Sequence, residues 1–206
     1  DPPIWKLHVA DRFTKDYFSD FSGGLISSQD NNLKKLLLYL KKNNPNKRIA
    51  VINPHGKTKF TNLKKFGFEN YQKIVNFTKD KFVFIQVGLK SDKCLRSIDF
   101  DARGKSLTFL VNLIANCDFV LGDEGMNNHI AGSFQNTTSY VPYSLFSDPK
   151  YYSYKNTYIL GSNKDIKKIK KKVIFGKEDF PSNYLLDIKY IANQILLNEE
   201  MRGKSN

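Results

Sequence analysis

Between Arg48 and Val141 the chain alternates two hydrophobic rhythms, and this alternation limits its fold more than any other feature. Ile49–Ile52 is a short β-branched run closed by Asn53-Pro54-His55-Gly56. Phe68–Thr78 then carries Tyr71, Ile74, Val75 and Phe77 at helical spacing. Lys81–Val87 reads as a second strand ended by Gly88, and Phe100–Gly104 as a short third. Ser106–Ala115 places Leu107, Leu110, Val111 and Ile114 on one helical face. Asp118–Leu121 is a strand, Gly122–Gly125 a turn, Met126–Phe134 a helix and Thr137–Val141 a strand. Short strands separated by helices of this length are the parts of βαβ units. The expected class is therefore α/β with a parallel sheet. Such sheets bind ligands at the carboxyl ends of their strands. Those ends are the 53–59 loop and the turns at Gly88, Gly104 and Gly122–Gly125, all polar and glycine-containing.

The flanks are less regular. Residues 1–47 read as a lead-in with one helix, Asn31–Lys42, capped by Asp30 and ended by Asn43-Asn44-Pro45. After Tyr143 come an aromatic stretch (Tyr151, Tyr152, Tyr154, Tyr158), a basic run (Lys164–Lys172) and a final helix over Ser182–Leu197. The expected organisation is a lead-in over 1–47, one domain over 48–200 and a frayed tail over 201–206.

Composition excludes several classes. With 206 residues and 40% hydrophobic content, the chain can bury a core without staples. No apolar run approaches the roughly 20 residues that span a bilayer. The first residues show no basic segment followed by an apolar one, as a signal peptide would. Cys94 and Cys117 cannot make a disulfide framework and lack the CxxC spacing of a zinc site. They read as neutral thiols of a reducing compartment. The balance of 33 Lys and Arg against 20 Asp and Glu gives a net charge of +13. A field of that sign favours anionic partners: nucleotides, nucleic acid, phospholipid headgroups or acidic glycans.

Three segments could carry chemistry. Pro54-His55-Gly56-Lys57, with Lys59, Lys64 and Lys65 beyond, combines a strand-end glycine with lysine charges that suit an anion, although the Walker A spacing is absent. An ordinary basic surface loop has the same composition. Gly122-Asp123-Glu124-Gly125, leading to His129, is an acidic turn between a strand and a helix. Its carboxylates could accept ribose hydroxyls, or Asp123 could simply cap the helix. Asp101-Ala102-Arg103-Gly104-Lys105-Ser106-Leu107 is weaker, since Ser106 also suits an N-cap. The three histidines, His8, His55 and His129, are too scattered to suggest a metal.

The order of these pieces resembles the C-terminal, donor-binding domain of family 9 glycosyltransferases, the heptosyltransferase-like enzymes of the GT-B class. In that family the first strand ends in a Pro-Gly loop, as at Pro54 to Gly56 here. The family's Lys-x-Trp-Pro-x-Glu-x-Phe segment is matched by Lys64-Lys65-Phe66-Gly67-Phe68-Glu69-Asn70-Tyr71. Its Gly-Lys-Thr/Ser-Leu segment is matched by Gly104-Lys105-Ser106-Leu107, and its Asp-x-Gly-x-x-His segment by Asp123 to His129. The resemblance covers residues 48–149. Residues 4–18 also look like the segment that joins the two GT-B domains.

The resemblance implies a Rossmann-like parallel sheet flanked by helices that binds a nucleotide-diphosphate sugar. Lys64 would lie against the diphosphate, with Gly56 and Lys57 near it. Asp123 or Glu124, with Gly125, would line the pyrophosphate and ribose, His129 would be near the donor, and Lys105, Ser106 and Leu107 would lie by the base. The reaction implied is direct displacement at the anomeric carbon, with no metal and no cofactor besides the donor. The acceptor implied is a glycan or lipid-linked glycan of lipopolysaccharide type. The place implied is the cytoplasm, with room for a peripheral position on the anionic inner membrane face. Three departures stand against the pattern. Phe66-Gly67 replaces Trp-Pro, Asp123 to His129 carries one residue more than usual, and residues 1–47 are too few for the family's acceptor-binding domain. No residue is assigned as the catalytic base. Two other readings stay open. One is a non-catalytic nucleotide-binding relic of this fold. The other is a basic module that binds nucleic acid or an anionic membrane through Lys164–Lys172, with nucleic acid not favoured.

Overall fold

The computed structural model describes residues 31–55, 66–134, 136–144, 148–173 and 186–204. In chain order the elements are α1 (Asn31–Asn43), β1 (Arg48–Asn53), α2 (Phe68–Thr78), β2 (Phe82–Gln86), β3 (Phe100–Asp101), α3 (Leu107–Ala115), β4 (Phe119–Gly122), α4 (Met126–Gly132) and β5 (Thr138–Pro142). A 3₁₀ turn (Pro149–Tyr151), β6 (Thr157–Leu160), α5 (Asn163–Val173) and α6 (Ile188–Lys204) follow. All strand pairs are parallel, in the order β3-β2-β1-β4-β5-β6. The architecture is the parallel α/β sheet expected from the alternation, in the Rossmann-like form that the resemblance implies.

The strands are apolar throughout because helices cover both sheet faces. On one face Ala50, Ile52, Phe84, Phe119 and Leu121 pack against Tyr71, Ile74 and Val75 of α2, Ile169 of α5, and Ile191 and Ile195 of α6. On the other, Ile49, Val51, Val83, Ile85 and Val120 meet Leu33, Leu37 and Leu40 of α1, Leu113 and Ile114 of α3, and Ala131 of α4. Ala50 is opposite Phe84 on β2 and Phe119 on β4. Its small side chain lets the Phe82 and Phe119 rings meet across β1 at 4.9 Å, edge to face.

Elements from β1 to β5 fall within one or two residues of the sequence expectation, except that the third strand ends at Asp101 rather than Gly104; later ones differ more. Helix α1, read as part of a lead-in, contributes three buried leucines to the same core as β1 and β2. The basic run is most of an amphipathic helix, α5. Ser162 Oγ accepts from Asp165 N at 3.1 Å and donates to Asp165 Oδ2 at 2.8 Å, a reciprocal cap. Helix α6 begins after Asp187, which accepts from the amides of Lys189 and Tyr190. It does not end at Leu197 but runs to Lys204, so the tail expected to fray is largely helical.

The reason lies in buried charge. Arg48, at the start of β1, sits 2.9 Å from Glu199 and 3.2 Å from Asp118, and donates to the Glu199 carbonyl at 2.7 Å. Tyr140 Oη donates to Glu199 Oε1 at 2.8 Å, and Arg202 Nη1 donates to the same oxygen at 3.1 Å. Asp118 Oδ2 accepts from Ile49 N at 2.7 Å. The Glu199 side chain is 2% exposed, so removing it takes a buried carboxylate away from two guanidinium groups and a phenol. Since both arginines keep some contact with water, Glu199→Ala is expected to cost about 3 kcal/mol, the low end for a broken buried pair. Urea unfolding of the variant beside the wild type measures it.

Candidate functional site

β1 pairs with β2 on one side and β4 on the other. After β1 the chain passes to α2 on one face, and after β4 to α4 on the opposite face. The chain thus leaves β1 and β4 for opposite faces, and the strand order reverses between them, the usual ligand position in an open α/β sheet. Asn53 and Gly122 are register partners there. A Cβ at Gly122 would stand 3.2 Å from the Asn53 carbonyl oxygen, so glycine lets the two strand ends close up.

Beyond Gly122 lie the half-buried Asp123, Glu124 and Gly125. Asp123 Oδ1 accepts from Phe66 N at 3.1 Å and from Tyr71 Oη at 2.7 Å. Phe66 is fixed from three directions. Its amide binds Asp123, its carbonyl accepts from Asn70 Nδ2 at 2.7 Å, and its ring meets the Tyr71 ring edge to face at 5.0 Å. Burial first, then the charge and hydrogen bond of Asp123, push the Tyr71 phenol well above its ordinary pKa. It is therefore a neutral donor at any working pH. Gly67, just before α2, has φ +94°, a left-handed conformation that proline, fixed near −65°, cannot adopt. A proline at 67 would therefore not fit this entry into α2.

The remaining expected residues are distributed along the same edge. Gly56, Lys57 and Lys64 lie outside the described residues. His55 N binds Asn53 Oδ1 at 3.3 Å, its Nε2 lies 3.0 Å from the Lys93 carbonyl, and its ring lies 5.4 Å from that of Phe68. Lys105, Ser106 and Leu107 are exposed beyond β3, three strand spacings or about 14 Å from β4. Ser106 caps α3, its Oγ accepting from Phe109 N at 3.2 Å. In the preceding turn, Arg103 forks onto Asp101 with bonds of 2.8 and 2.9 Å and also donates to the Asp92 carbonyl. The hydrogen bond from Arg103 is the main cause that holds the Asp101 carboxyl down to about 2.

His129 is one turn into α4, and its Nδ1 lies 2.9 Å from Tyr154 Oη. The Tyr154 ring also rests on Gly132, where an added Cβ would fall 2.3 Å from the ring. Asn128 ties the same helix to its neighbours, donating to the Tyr152 carbonyl at 2.9 Å and accepting from Ser139 Oγ at 2.7 Å. At the rim beyond β5, the buried hydroxyls of Ser144 and Tyr152 have no hydrogen-bond partner among the described residues. The Tyr152 phenol is raised by burial and then by the charge of Glu124. Reading the sequence as apolar periodicity missed Tyr71, Asn128 and Tyr154. The available signal was a hydroxyl or amide at a position whose neighbours mark it as core.

A concavity of about 710 Å³ opens at the opposite, amino edge, lined in part by Arg48, Cys117, Asp118, Tyr158 and Arg202. Its arginines are already paired with Glu199 and Asp118, and they serve to hold α6. Among the described residues there is no group of three or more His, Cys, Asp or Glu able to hold a metal, and no helix long and apolar enough to cross a membrane.

Two predictions follow from this geometry. Gly132→Ala should displace Tyr154, free the His129 ring and cost about 1–3 kcal/mol as overpacking does, read by thermal unfolding. Asp101 titrates near 2 when folded against about 3.9 unfolded. Its pairing therefore stabilises fully above about pH 4 and is lost as the pH falls toward 2. The stability gap between wild type and Asp101→Asn should be constant above about pH 5 and close between about pH 4 and 2, in an acid series of denaturant melts.

Neither a family model nor a curated protein sequence matches the chain. Solved structures do. The glycosyl transferase family 9 structure from Veillonella parvula DSM 2008 superposes with a TM-score of 0.63 at 17% identity, over 96% of this chain and 62% of that one. The ADP-heptose LPS heptosyltransferase II of E. coli gives 0.52 at 14% identity, over 79% of this chain and 51% of that one. At these identities the likeness establishes the fold. The chain spans less than two thirds of the length of either protein.

Proposed function

We propose that this chain is the nucleotide-sugar-binding part of a GT-B glycosyltransferase of the family 9, heptosyltransferase-like kind. The observation that carries the reading is the acidic, glycine-flanked turn Asp123-Glu124-Gly125 at the β1/β4 switch point of a 3-2-1-4-5-6 sheet. The four ordered motifs and the fold shared with two glycosyltransferase structures support it.

In this reading the donor lies along the carboxyl edge. Its diphosphate meets Lys64, Gly56 and Lys57, and its ribose and pyrophosphate meet the Asp123–Gly125 turn. Its base extends toward Lys105, Ser106 and Leu107, with His129 near the donor. The acceptor hydroxyl displaces the nucleoside diphosphate from the anomeric carbon. The carbon–oxygen bond to the diphosphate breaks, the bond to the acceptor oxygen forms, and the acceptor proton passes to a base. The lysines stabilise the charge that develops on the departing diphosphate, so no metal is required. The acceptor proposed is a glycan or lipid-linked glycan of lipopolysaccharide type, met in the cytoplasm or at the anionic inner membrane face. A second reading has its own observation. Lys164, Lys167 and Lys168 are exposed on α5, the pattern of a basic face for an anionic polymer or surface.

Thermal unfolding with ADP, UDP, GDP, CDP and their sugar conjugates separates these. A ligand at about 100 times its dissociation constant adds roughly 2.7 kcal/mol, a rise of about 5–10 °C for a chain of this size. The expected result is a shift with one nucleoside diphosphate series, lost in Lys64→Ala and in Glu124→Ala. No shift with any of them would reject the donor-site reading. Binding to an anionic polymer that falls steeply with salt would favour the basic face.

A further inference from the structure

We propose that the sheet face covered by α1, α3 and α4 is a docking surface for an anionic phospholipid membrane. None of these three helices contains an Asp or Glu. The helices on the other face all do: Glu69 in α2, Asp165 in α5, and Glu199 and Glu200 in α6. The three lie side by side, with α3 in contact with both neighbours. Helix α1 turns Leu33, Leu37 and Leu40 inward. Its helical period then sets Lys35, Leu38, Tyr39 and Lys42 outward, with Lys34 and Lys41 on one flank, all of them exposed. None of the four lysines pairs with a carboxylate among the described residues. Helix α3 carries no charge at all, and its outward residues include Thr108, Val111 and Ala115. Met126, exposed at the start of α4, carries the face up to the carboxyl edge. Charge alone would suit any polyanion, and the apolar side chains among the lysines select lipid. Leu38 and Tyr39 are each more than half exposed. Lysines drawn to anionic headgroups, with leucine and an aromatic ring entering the headgroup–acyl boundary, are what hold a helix on a membrane surface. A nucleic acid or acidic glycan would engage the lysines and leave Leu38 in water. Helix α6 also exposes apolar side chains, Leu197 and Met201, but the exposed Glu200 stands beside them and an anionic surface would repel it. The inference gives the membrane position within the proposed function a definite surface, built from residues outside the donor site.

The test is sedimentation of the full chain with vesicles of phosphatidylcholine alone, or mixed in equal parts with phosphatidylglycerol, with no nucleotide present. Binding is expected to the mixed vesicles only, weakened by added salt. Lys35→Gln with Lys42→Gln should weaken it roughly 25-fold, at about fivefold for each lysine near an anionic surface. Leu38→Gln with Tyr39→Gln leaves the charge unchanged. It should weaken vesicle binding about tenfold or more and leave any binding to single-stranded DNA as it was. All four side chains are exposed, and glutamine suits a helix, so the melting temperature should stay at the wild-type value. Hydrogen exchange of the wild type needs no variant: amides of α1 and α3 should slow further on mixed vesicles. Absence of binding to mixed vesicles would overturn the proposal. So would a loss confined to Lys167→Gln with Lys168→Gln on α5, or vesicle binding that is indifferent to Leu38→Gln with Tyr39→Gln, as a polyanion-binding face would be. A chain that binds mixed vesicles through α1 but none of ADP, UDP, GDP and CDP would lose the proposed donor site and keep this surface. The opposite pair of results would keep the donor site and remove the surface.

Discussion

The pairing of β1 with β4 is the constraint on which the rest depends. It reverses the order of the strands, sends α2 and α4 to opposite faces and sets the switch point at which open α/β sheets take their ligands. Both ends of the pair are secured, by different physics. At the amino end Arg48 and Asp118 form an ion pair, and Asp118 also accepts the Ile49 amide. At the carboxyl end, the absence of a side chain on Gly122 lets the backbones approach. Between them Ala50 leaves room for phenylalanine rings from both neighbouring strands.

The two edges of the sheet use charge in opposite ways. At the amino edge each named cation has a nearby carboxylate, and the result is a brace between the sheet and α6. Along the carboxyl edge an acidic turn follows β4, a histidine follows β1, and two buried hydroxyls beyond β5 lack a hydrogen-bond partner among the described residues. Other lysines stand on outward helix faces, such as Lys34, Lys35, Lys41 and Lys42 of α1. The size of a concavity is therefore a poor guide here, because the volume at the amino edge is bordered by groups already committed to one another.

The sheet up to β5 was legible because parallel strands buried on both faces must be apolar, and their crossover helices must show a helical period. Ser106 was legible as a cap for the same local reason. Legibility faded where polar residues entered the core. The buried face of α6 continues from Ile191 and Ile195 to Glu199 and Arg202, so a hydrophobic pattern stops a turn early. Lysines hid α5, although Ser162 and Asp165 stood three apart as a capping pair. β6 was lost because Thr157 and Tyr158 remain partly exposed at the sheet edge. The Tyr71–Asp123 bond joins residues 52 apart, and no local pattern announces such a contact.

The brace at the amino edge also orders events in time. Arg48 finds its partner Glu199 across 151 residues of chain, and closing so long a loop is slow and entropically costly. A nascent chain emerging from the ribosome can pair its first strands while this arginine, the first residue of β1, still lacks one carboxylate. When α6 docks, Arg48 gains the Glu199 carboxylate beside Asp118, and Ile191 and Ile195 cover their face of the sheet. The strand near one end of the described residues is thereby secured by the helix near the other.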